Sequence, residues 1–204
     1  MNARHLRAAL SALALLALAP FGAGAAERAG EVLKAQPDAF QKAGFAGVAL
    51  GRGSTIFRDA TVYTKRYGTA EIRLDDDTQL MIGPDASIVI DQYVYGGGGA
   101  TLAMRLGKGA LRVISGDLRK EETSFRTEVA TIGVRGTQFW LDVDTPGITR
   151  LWVDEGTVIA RPVDADRDFI FHEPVYAECN RVTCRETWPP PRPIVYPHDP
   201  RPRK

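Results

Sequence analysis

The residues of this chain that could do chemistry are concentrated in one short segment, residues 130–137, with the sequence ATIGVRGT. Its only charged side chain, Arg135, stands between Gly133 and Gly136. A guanidinium group presents a planar set of donors that can bind an anion, a partner's carboxylate or buried carbonyl oxygens. We therefore expect Arg135 either to bind a ligand or to hold the loops that the two glycines bend, and the second role is preferred. The candidate interaction residues are Thr131, Gly133, Arg135, Gly136 and Thr137.

Outside that segment, acidic and hydroxyl side chains occur without the sequence neighbours that catalysis or metal binding requires. Residues 75–77 are three consecutive aspartates at a predicted hairpin tip. Because Ca²⁺ takes about six to eight oxygen ligands, a solvated turn is preferred over a calcium site. Asp85 and Asp91 are interpreted as turn and strand-edge residues, His172 is isolated, and no serine has a nucleophile-elbow context. We expect no enzymatic activity, no cofactor and no metal site.

The chain contains two cysteines, Cys179 and Cys184. In an oxidising compartment, such a close pair predicts a disulfide that closes a short loop. Half of a metal site is the alternative, but the sequence supplies no second cysteine pair. A loop this short should contribute only roughly 2–3 kcal/mol to stability, so the disulfide is expected to pin a local turn.

Alternation of apolar and polar residues dominates the chain from Phe45 onward and predicts β-strands. Around the central segment, for example, Phe125 and Val129 on one side and Phe139 and Leu141 on the other each follow period two. Short strands with a turn signal about every 8–12 residues predict an all-β fold. Because the spacing is loose, an antiparallel, meander-rich β-sandwich is preferred, and a β-solenoid-like stack is the alternative.

Two connections follow from this pattern. Residues 130–137 are expected to turn the chain between two core strands, because glycines flank Val134 and Arg135. Lys108 and Gly109 are expected to form a two-residue hairpin turn that places Leu106 opposite Leu111.

The chain begins with a segment typical of a secretory signal peptide. Arg4 and Arg7 precede an Ala/Leu run at residues 8–19, and small residues follow at 23–25. A membrane anchor is the alternative, but the run is shorter than the roughly 20 residues that a spanning helix needs. We therefore expect cleavage near residue 25, a periplasmic or secreted protein, and no stable membrane anchor afterwards.

Three segments together resemble the FecR-domain family of bacterial extracytoplasmic proteins. They are ATIGVRGT with the strand that follows it, residues 68–95 (GTAEIRLDDDTQLMIGPDASIVIDQYVY) and residues 106–116 (LGKGALRVISG). The resemblance implies an all-β extracytoplasmic domain without catalytic residues. It also implies a family whose best understood members relay signals from outer-membrane receptors to sigma factors.

The expected organisation combines these features. It comprises a signal peptide (1–25), a lead-in (26–45), the FecR-like β domain (46–163), a C-terminal extension with the disulfide (164–188) and a disordered Pro-rich tail (189–204).

The near balance of 26 Lys+Arg against 25 Asp+Glu argues against nucleic-acid binding, which requires a basic face. We expect a periplasmic or secreted interaction module, possible partners being an envelope protein or a small ligand. Since the chain carries a signal peptide where signalling members carry a cytoplasmic segment and a membrane helix, a stand-alone binding role is preferred. A carbohydrate- or cell-wall-binding β-sandwich is the alternative.

Overall fold

The computed structural model describes residues 27–44, 46–96, 99–116, 123–143 and 145–188, and every regular element in them is a β-strand. No helix in these ranges is long and apolar enough to cross a bilayer. The described strands are β1 (Arg28–Ala35), β2 (Ala39–Ala43), β3 (Ala46–Ala49), β4 (Thr55–Phe57), β5 (Thr61–Thr64), β6 (Ala70–Leu74), β7 (Gln79–Ile82), β8 (Ser87–Gly96), β9 (Gly99–Lys108), β10 (Ala110–Ile114), β11 (Thr123–Arg126), β12 (Ala130–Asp142), β13 (Thr149–Pro162), β14 (Phe169–His172), β15 (Val175–Cys179) and β16 (Cys184–Glu186). The all-β prediction is confirmed. The predicted signal peptide and Pro-rich tail lie outside the described residues.

The described strands belong to one continuous hydrogen-bonded sheet, in the order β3-β2-β5-β8-β9-β11-β12-β10-β7-β6-β1-β4. β13 pairs with β12 and carries β14 and β15, and β16 completes this branch by pairing with β15. β9 and β11 run parallel, whereas the other described pairs are antiparallel. The two separate sheets of a sandwich are therefore not confirmed.

The sheet curls so that its inward side chains share one core. Buried residues from β1, such as Val32, and from β15, such as Ala177, belong to the same apolar cluster. Phe125 of β11 and Phe139 of β12 are its largest fully buried members, and their rings meet edge to face at 5.1 Å between centroids. Burial of this inward face is the main source of stability, since each large apolar side chain contributes about 1.5–3 kcal/mol.

The predicted hairpin between Leu106 and Leu111 is wrong. Leu106 pairs with Ile88 of β8, while β10 lies between β7 and β12, where Leu111 pairs with Ile82 and Leu141. Gly109, with φ of 79°, redirects the chain away from β9. Alternation specifies which side chains face the core, but it does not specify which strand lies alongside.

The predicted turn at residues 130–137 is also wrong, because β12 runs without interruption from Ala130 to Asp142. The turn lies one step earlier, where the Thr127 N–H donates to the Ala130 carbonyl (2.9 Å) and Thr127 Oγ1 accepts from the Ala130 N–H (3.1 Å). Thr131, Ile132 and Val134 are β-branched residues that favour extended backbone, so they continue the strand through the glycines.

The segments on either side of residues 46–163 add strands to the same sheet. β1 pairs with β6 and β4, and β2 pairs with β5, so the lead-in contributes two strands. At the other end, β14 and β15 both pair with β13. The resemblance-based range 46–163 therefore omits strands that complete the sheet.

The three consecutive aspartates differ from the expected solvated turn, because Asp76 is fully buried. Its carboxylate accepts hydrogen bonds from the Thr78 N–H (3.4 Å), the Thr78 hydroxyl and the Tyr93 hydroxyl (3.2 Å). Tyr93 Oη in turn accepts from the Asp76 N–H (2.9 Å), and Thr78 Oγ1 accepts from the Gly116 N–H (3.1 Å). Burial and, next, the nearby Asp76 charge raise the pKa of Tyr93. This network joins the β6–β7 turn to β8 and to the chain that leaves β10.

Replacing Asp76 with alanine should lower the free energy of unfolding by about 3 kcal/mol or more, because three buried donors lose their acceptor. The neighbouring Asp75 is the matched control. It is an exposed partner of Arg28 (3.1 Å), so Asp75→Ala should cost less than about 1 kcal/mol. Urea denaturation of the two variants measures the difference, and equal midpoints would contradict the assigned importance of the buried network.

Candidate functional site

The candidate interaction residues of β12 divide between the two faces of the sheet. Thr131, Gly133 and Arg135 alternate with the buried Ile132 and Val134, so they lie on the outer face. Between Arg135 and Gln138 the strand is irregular, and beyond this point the odd-numbered residues face inward. Thr137 is therefore buried. The structure therefore brings three of the five candidates together on one surface.

The change of face is caused by a bulge that β12 and β13 share. Their register shifts between Arg135 and Gln138, opposite the Glu155–Thr157 stretch. Gly136 has φ of 56° and Gly156 has φ of 89°, a region in which residues with a side chain are strained. A Cβ at Gly156 would overlap the Gly136 carbonyl oxygen. The predicted special role of glycine in this segment is confirmed at Gly136.

Gly133 has no such structural requirement. Its φ lies outside the left-handed region, and a Cβ there would meet only the Ile159 carbonyl oxygen, at an ordinary 3.8 Å. Glycine weakens a strand, and a strand glycine often marks a place where another molecule approaches the backbone. Gly133 therefore leaves a low point on the outer face that the fold itself does not need.

Thr137 has a structural environment. It is 2% exposed, its carbonyl accepts from the Ser115 N–H (3.0 Å), and the Ser115 hydroxyl accepts from its N–H (3.4 Å). The adjoining cavity, which Thr78, Val113 and Gly136 help to line, holds about 80 Å³. Because small-molecule sites usually have roughly 300 Å³ or more, this cavity suits solvent and not a ligand.

Arg135 is exposed and lies opposite Thr157 of β13. Within the described ranges it makes no hydrogen bond and no ion pair, so no contact there supports the preferred expectation that it holds a loop. The role of Arg135 in an interaction stays a prediction.

Around Gly133 the outer face is formed by small residues on one side and apolar residues on the other. Ser124 of β11 lies directly opposite Gly133, and Ala103 of β9 follows Ser124. On the other side Ile159 of β13 lies opposite Gly133, and Ile170 of β14 follows Ile159. These two isoleucines are 38% and 57% exposed, which makes them the apolar end of a shallow trough.

Two arginines flank Thr131, which lies two residues before Gly133 along β12. Thr131 stands between Arg126 of β11 and Arg161 of β13. Arg161 donates two hydrogen bonds to Asp168 (2.6 and 2.8 Å), which raise the pKa of Arg161 and lower the pKa of Asp168. Arg126, like Arg135, has no hydrogen-bond or ion-pair partner in the part of the chain that the structure describes.

Beyond the shared bulge, the outer face is closed by its own side chains. Arg112 lies over the Trp140 ring at 5.1 Å, and the Trp152 and Tyr176 rings meet at 6.1 Å. Trp140 also donates from Nε1 to Asp154 (3.1 Å). Arg112, Trp140 and Tyr176 are buried here, in contrast to the open Gly133 half.

Arg126, Ile159 and Ile170 also lie on this face, although they were not among the predicted site residues, and His172, which is isolated in the sequence, joins them. His172 Nδ1 lies 3.1 Å from Thr157 Oγ1, on the same face as Arg135. Alternation could have identified these residues as outward-facing. It could not place them beside β12, because the pairing of β11, β13 and β14 depends on the curled topology.

The predicted disulfide is confirmed. Cys179 and Cys184 pair directly across β15 and β16, and their sulfur atoms are bonded at 2.03 Å. Both cysteines are buried members of the apolar core, so the disulfide fixes the last described strand to that core.

Residues 60–159 match the family model described as FecR protein. The chain carries a FecR domain. The matched range contains β12, most of β13 and the whole Asp76 network, and it confirms the resemblance that the sequence showed. No curated protein matches this chain.

A solved structure shows a similar fold outside this chain. A proposed anti-sigma factor from Parabacteroides distasonis ATCC 8503, solved at 2.50 Å, aligns with a TM-score of 0.50 and 13% identity over 62% of this chain. A second structure of that description, at 1.65 Å, aligns with a TM-score of 0.48 and 14% identity over 62% of this chain. In each case the alignment spans 58% of the other chain's length. The likeness describes the fold of the FecR domain and not its partners.

Gly156 in the bulge and Gly133 on the outer face should respond differently to substitution. Gly156→Ala should lower the free energy of unfolding by about 2 kcal/mol or more, because the new Cβ meets the Gly136 carbonyl in a strained backbone region. Gly133→Ala should leave stability unchanged or raise it by about 0.5–1 kcal/mol. Thermal melts of the two variants test this, and a large loss at Gly133 would show that the fold does need that glycine.

Proposed function

We propose that this chain is a non-enzymatic interaction module of envelope sensing or signalling, which binds an envelope protein or a small ligand through the outer face of β12. The observation that carries the proposal is the exposed Arg135, held on a long core strand without a bonding partner among the described residues. Because the strand already fixes the backbone of Arg135, binding has to order only its side chain, at a cost of about 0.5–1.5 kcal/mol.

The family match gives this proposal its functional class. The FecR domain is a regulatory class of domain, and a similar solved structure is described as a proposed anti-sigma factor. We carry this class over to the chain as a role in sensing or signalling.

The chemistry of the outer face supports binding over catalysis. Thr157 and His172 are within hydrogen-bond distance, but they lie on an open sheet face. No third group in the described ranges orients the other ring nitrogen of His172, as a nucleophile–base arrangement would require. A covalent mechanism therefore finds no support on this surface.

Carbohydrate binding is the second candidate, and it would favour exposed aromatic rings. The described exposed aromatics, Tyr67 (70%) and Trp188 (85%), lie on other elements. The exposed apolar side chains beside β12 are the isoleucines of β13 and β14. The outer face thus favours a protein or a small charged ligand over a sugar ring.

Photo-cross-linking tests the proposed function. A photoreactive residue in place of Thr157 should capture a specific partner in cells, and Arg135→Ala should reduce capture several-fold. The melting midpoint of Arg135→Ala should remain close to wild type, since surface substitutions without contacts usually change stability by less than about 0.5 kcal/mol.

Arg52→Ala is the matched control, because Arg52 is also an exposed arginine and lies outside the β12 face. Unchanged capture in Arg135→Ala would contradict the assigned surface. A clearly lowered midpoint would return Arg135 to the structural role that the sequence first favoured.

We further propose that the protein is exported to the periplasm or secreted after loss of residues 1–25. The basic start, the Ala/Leu run and the disulfide support this location. Edman sequencing of protein from a periplasmic extract should begin near Ala26 or Glu27, and unreduced mass spectrometry should show the Cys179–Cys184 bridge. Protein that retains Met1 in the membrane fraction would contradict the proposal.

A further inference from the structure

The Gly133 half of the outer face has two properties that the fold does not explain. Its floor, formed by Gly133, Ser124 and Ala103, has no bulky side chain. The fold leaves room for a side chain at Gly133, yet glycine is present. The other half of the same face, beyond the shared bulge, is filled by Arg112, Trp140 and Trp152.

Among the residues that the structure describes, Arg126 and Arg135 have no bonded partner, and they lie at opposite ends of this floor. Thr131, Gly133 and Arg135 are successive outward residues, so Thr131 and Arg135 are ~13 Å apart along the strand and Gly133 lies midway. Arg126 lies beside Thr131, at the end opposite Arg135. The other two arginines of this surface are already paired, Arg161 with Asp168 and Arg105 with Asp91 (2.5 Å). Within the described ranges, Arg126 and Arg135 are therefore the arginines of this surface that keep their donors for a partner.

The spacing of these cations matches that of an extended polypeptide. In a strand, residues i and i+4 project from the same face ~13 Å apart, and residue i+2 projects between them. Carboxylates at i and i+4 would reach Arg126 and Arg135. An apolar side chain at i+2 would occupy the space above Gly133 and contact Ile159 and its neighbour Ile170.

We propose, building on the interaction function above, that this surface docks an extended acidic segment of a partner protein, with two carboxylates flanking one apolar side chain. The arginines bind the carboxylates and set the register of the segment. The glycine floor admits the apolar side chain, and the isoleucines bury it. An acidic polysaccharide would satisfy the arginines but would leave the exposed isoleucines uncovered, so a protein segment fits this face better.

Nuclear magnetic resonance titration of the full exported chain tests the proposal with the synthetic peptide acetyl-Thr-Asp-Thr-Leu-Thr-Asp-Thr-amide. Saturable shifts are expected at the amides of Ser124, Gly133 and Ile159, and they should weaken as salt is added. Gly133→Val should retain the wild-type melting midpoint and weaken binding at least ten-fold, because its side chain occupies the floor. The double variant R126A/R135A should weaken binding by a similar factor, whereas Arg52→Ala should change it less than two-fold.

Three results would overturn the proposal: no saturable shift at millimolar peptide, equal binding of a peptide with lysine in place of aspartate, or wild-type affinity in Gly133→Val. Binding of alginate with the same dependence on Gly133 and the arginines, in place of the peptide, would reassign the surface to an acidic polysaccharide. If the photoreactive residue at position 157 captures a specific partner but the peptide does not bind, the inference of an acidic segment is wrong. The proposed interaction function would still hold in that case.

Discussion

The shared bulge of β12 and β13 is the constraint on which the rest of the structure depends. These are the longest strands of the described sheet, at 13 and 14 residues. At the bulge, the inward-facing positions of each strand switch between even and odd residue numbers. The inward residue after Val134 in β12 is therefore Thr137, and the one after Val153 in β13 is Val158. Because both strands change together, one continuous pair can supply inward side chains to a curled core from end to end. Gly136 and Gly156 permit this by adopting positive φ and by approaching each other closely.

The same bulge divides the outer face into two chemically different halves. On one side, Arg112 lies over the Trp140 ring and Trp140 donates a hydrogen bond to Asp154. The side chains of the sheet therefore cover this half of the surface. On the other side, Gly133 and Ser124 leave a low floor, and Arg126 and Arg135 present unbonded cations within the described part of the chain. The sheet therefore has one half that its own side chains fill and one half that they leave open. This division links the backbone irregularity to the proposed interaction.

The buried Asp76 network addresses a different problem, which is how a large curled sheet fixes its turns. Apolar burial is non-directional and does not by itself fix the position of the β6–β7 turn. Asp76 and Thr78 bind the Tyr93 hydroxyl of β8 and the Gly116 N–H after β10, so three separate stretches of chain meet at one set of hydrogen bonds. A buried carboxylate is costly unless its oxygens are bonded, and here they are bonded by side chains and backbone of fixed geometry. The network therefore favours a single arrangement of these strands.

The sequence by itself determined the fold class, the family and the disulfide. Period-two alternation requires strands whatever their partners, the three FecR segments follow one another along the chain, and Cys179 and Cys184 are so close in sequence that a single turn joins them. Tertiary structure alone decided which strands pair. The alternating pattern around Leu106 and Leu111 is compatible with a hairpin, yet β10 pairs with β7 and β12. An alternating pattern specifies which side chains face the core, and many neighbouring strands satisfy it equally well. Burial of Asp76 within an aspartate run had no local signal, since its partners Tyr93 and Gly116 are distant in sequence. Likewise the segment 130–137 could be recognised from its residues, but its pairing as a continuous strand and the inward position of Thr137 depended on a bulge that requires Gly156 of another strand.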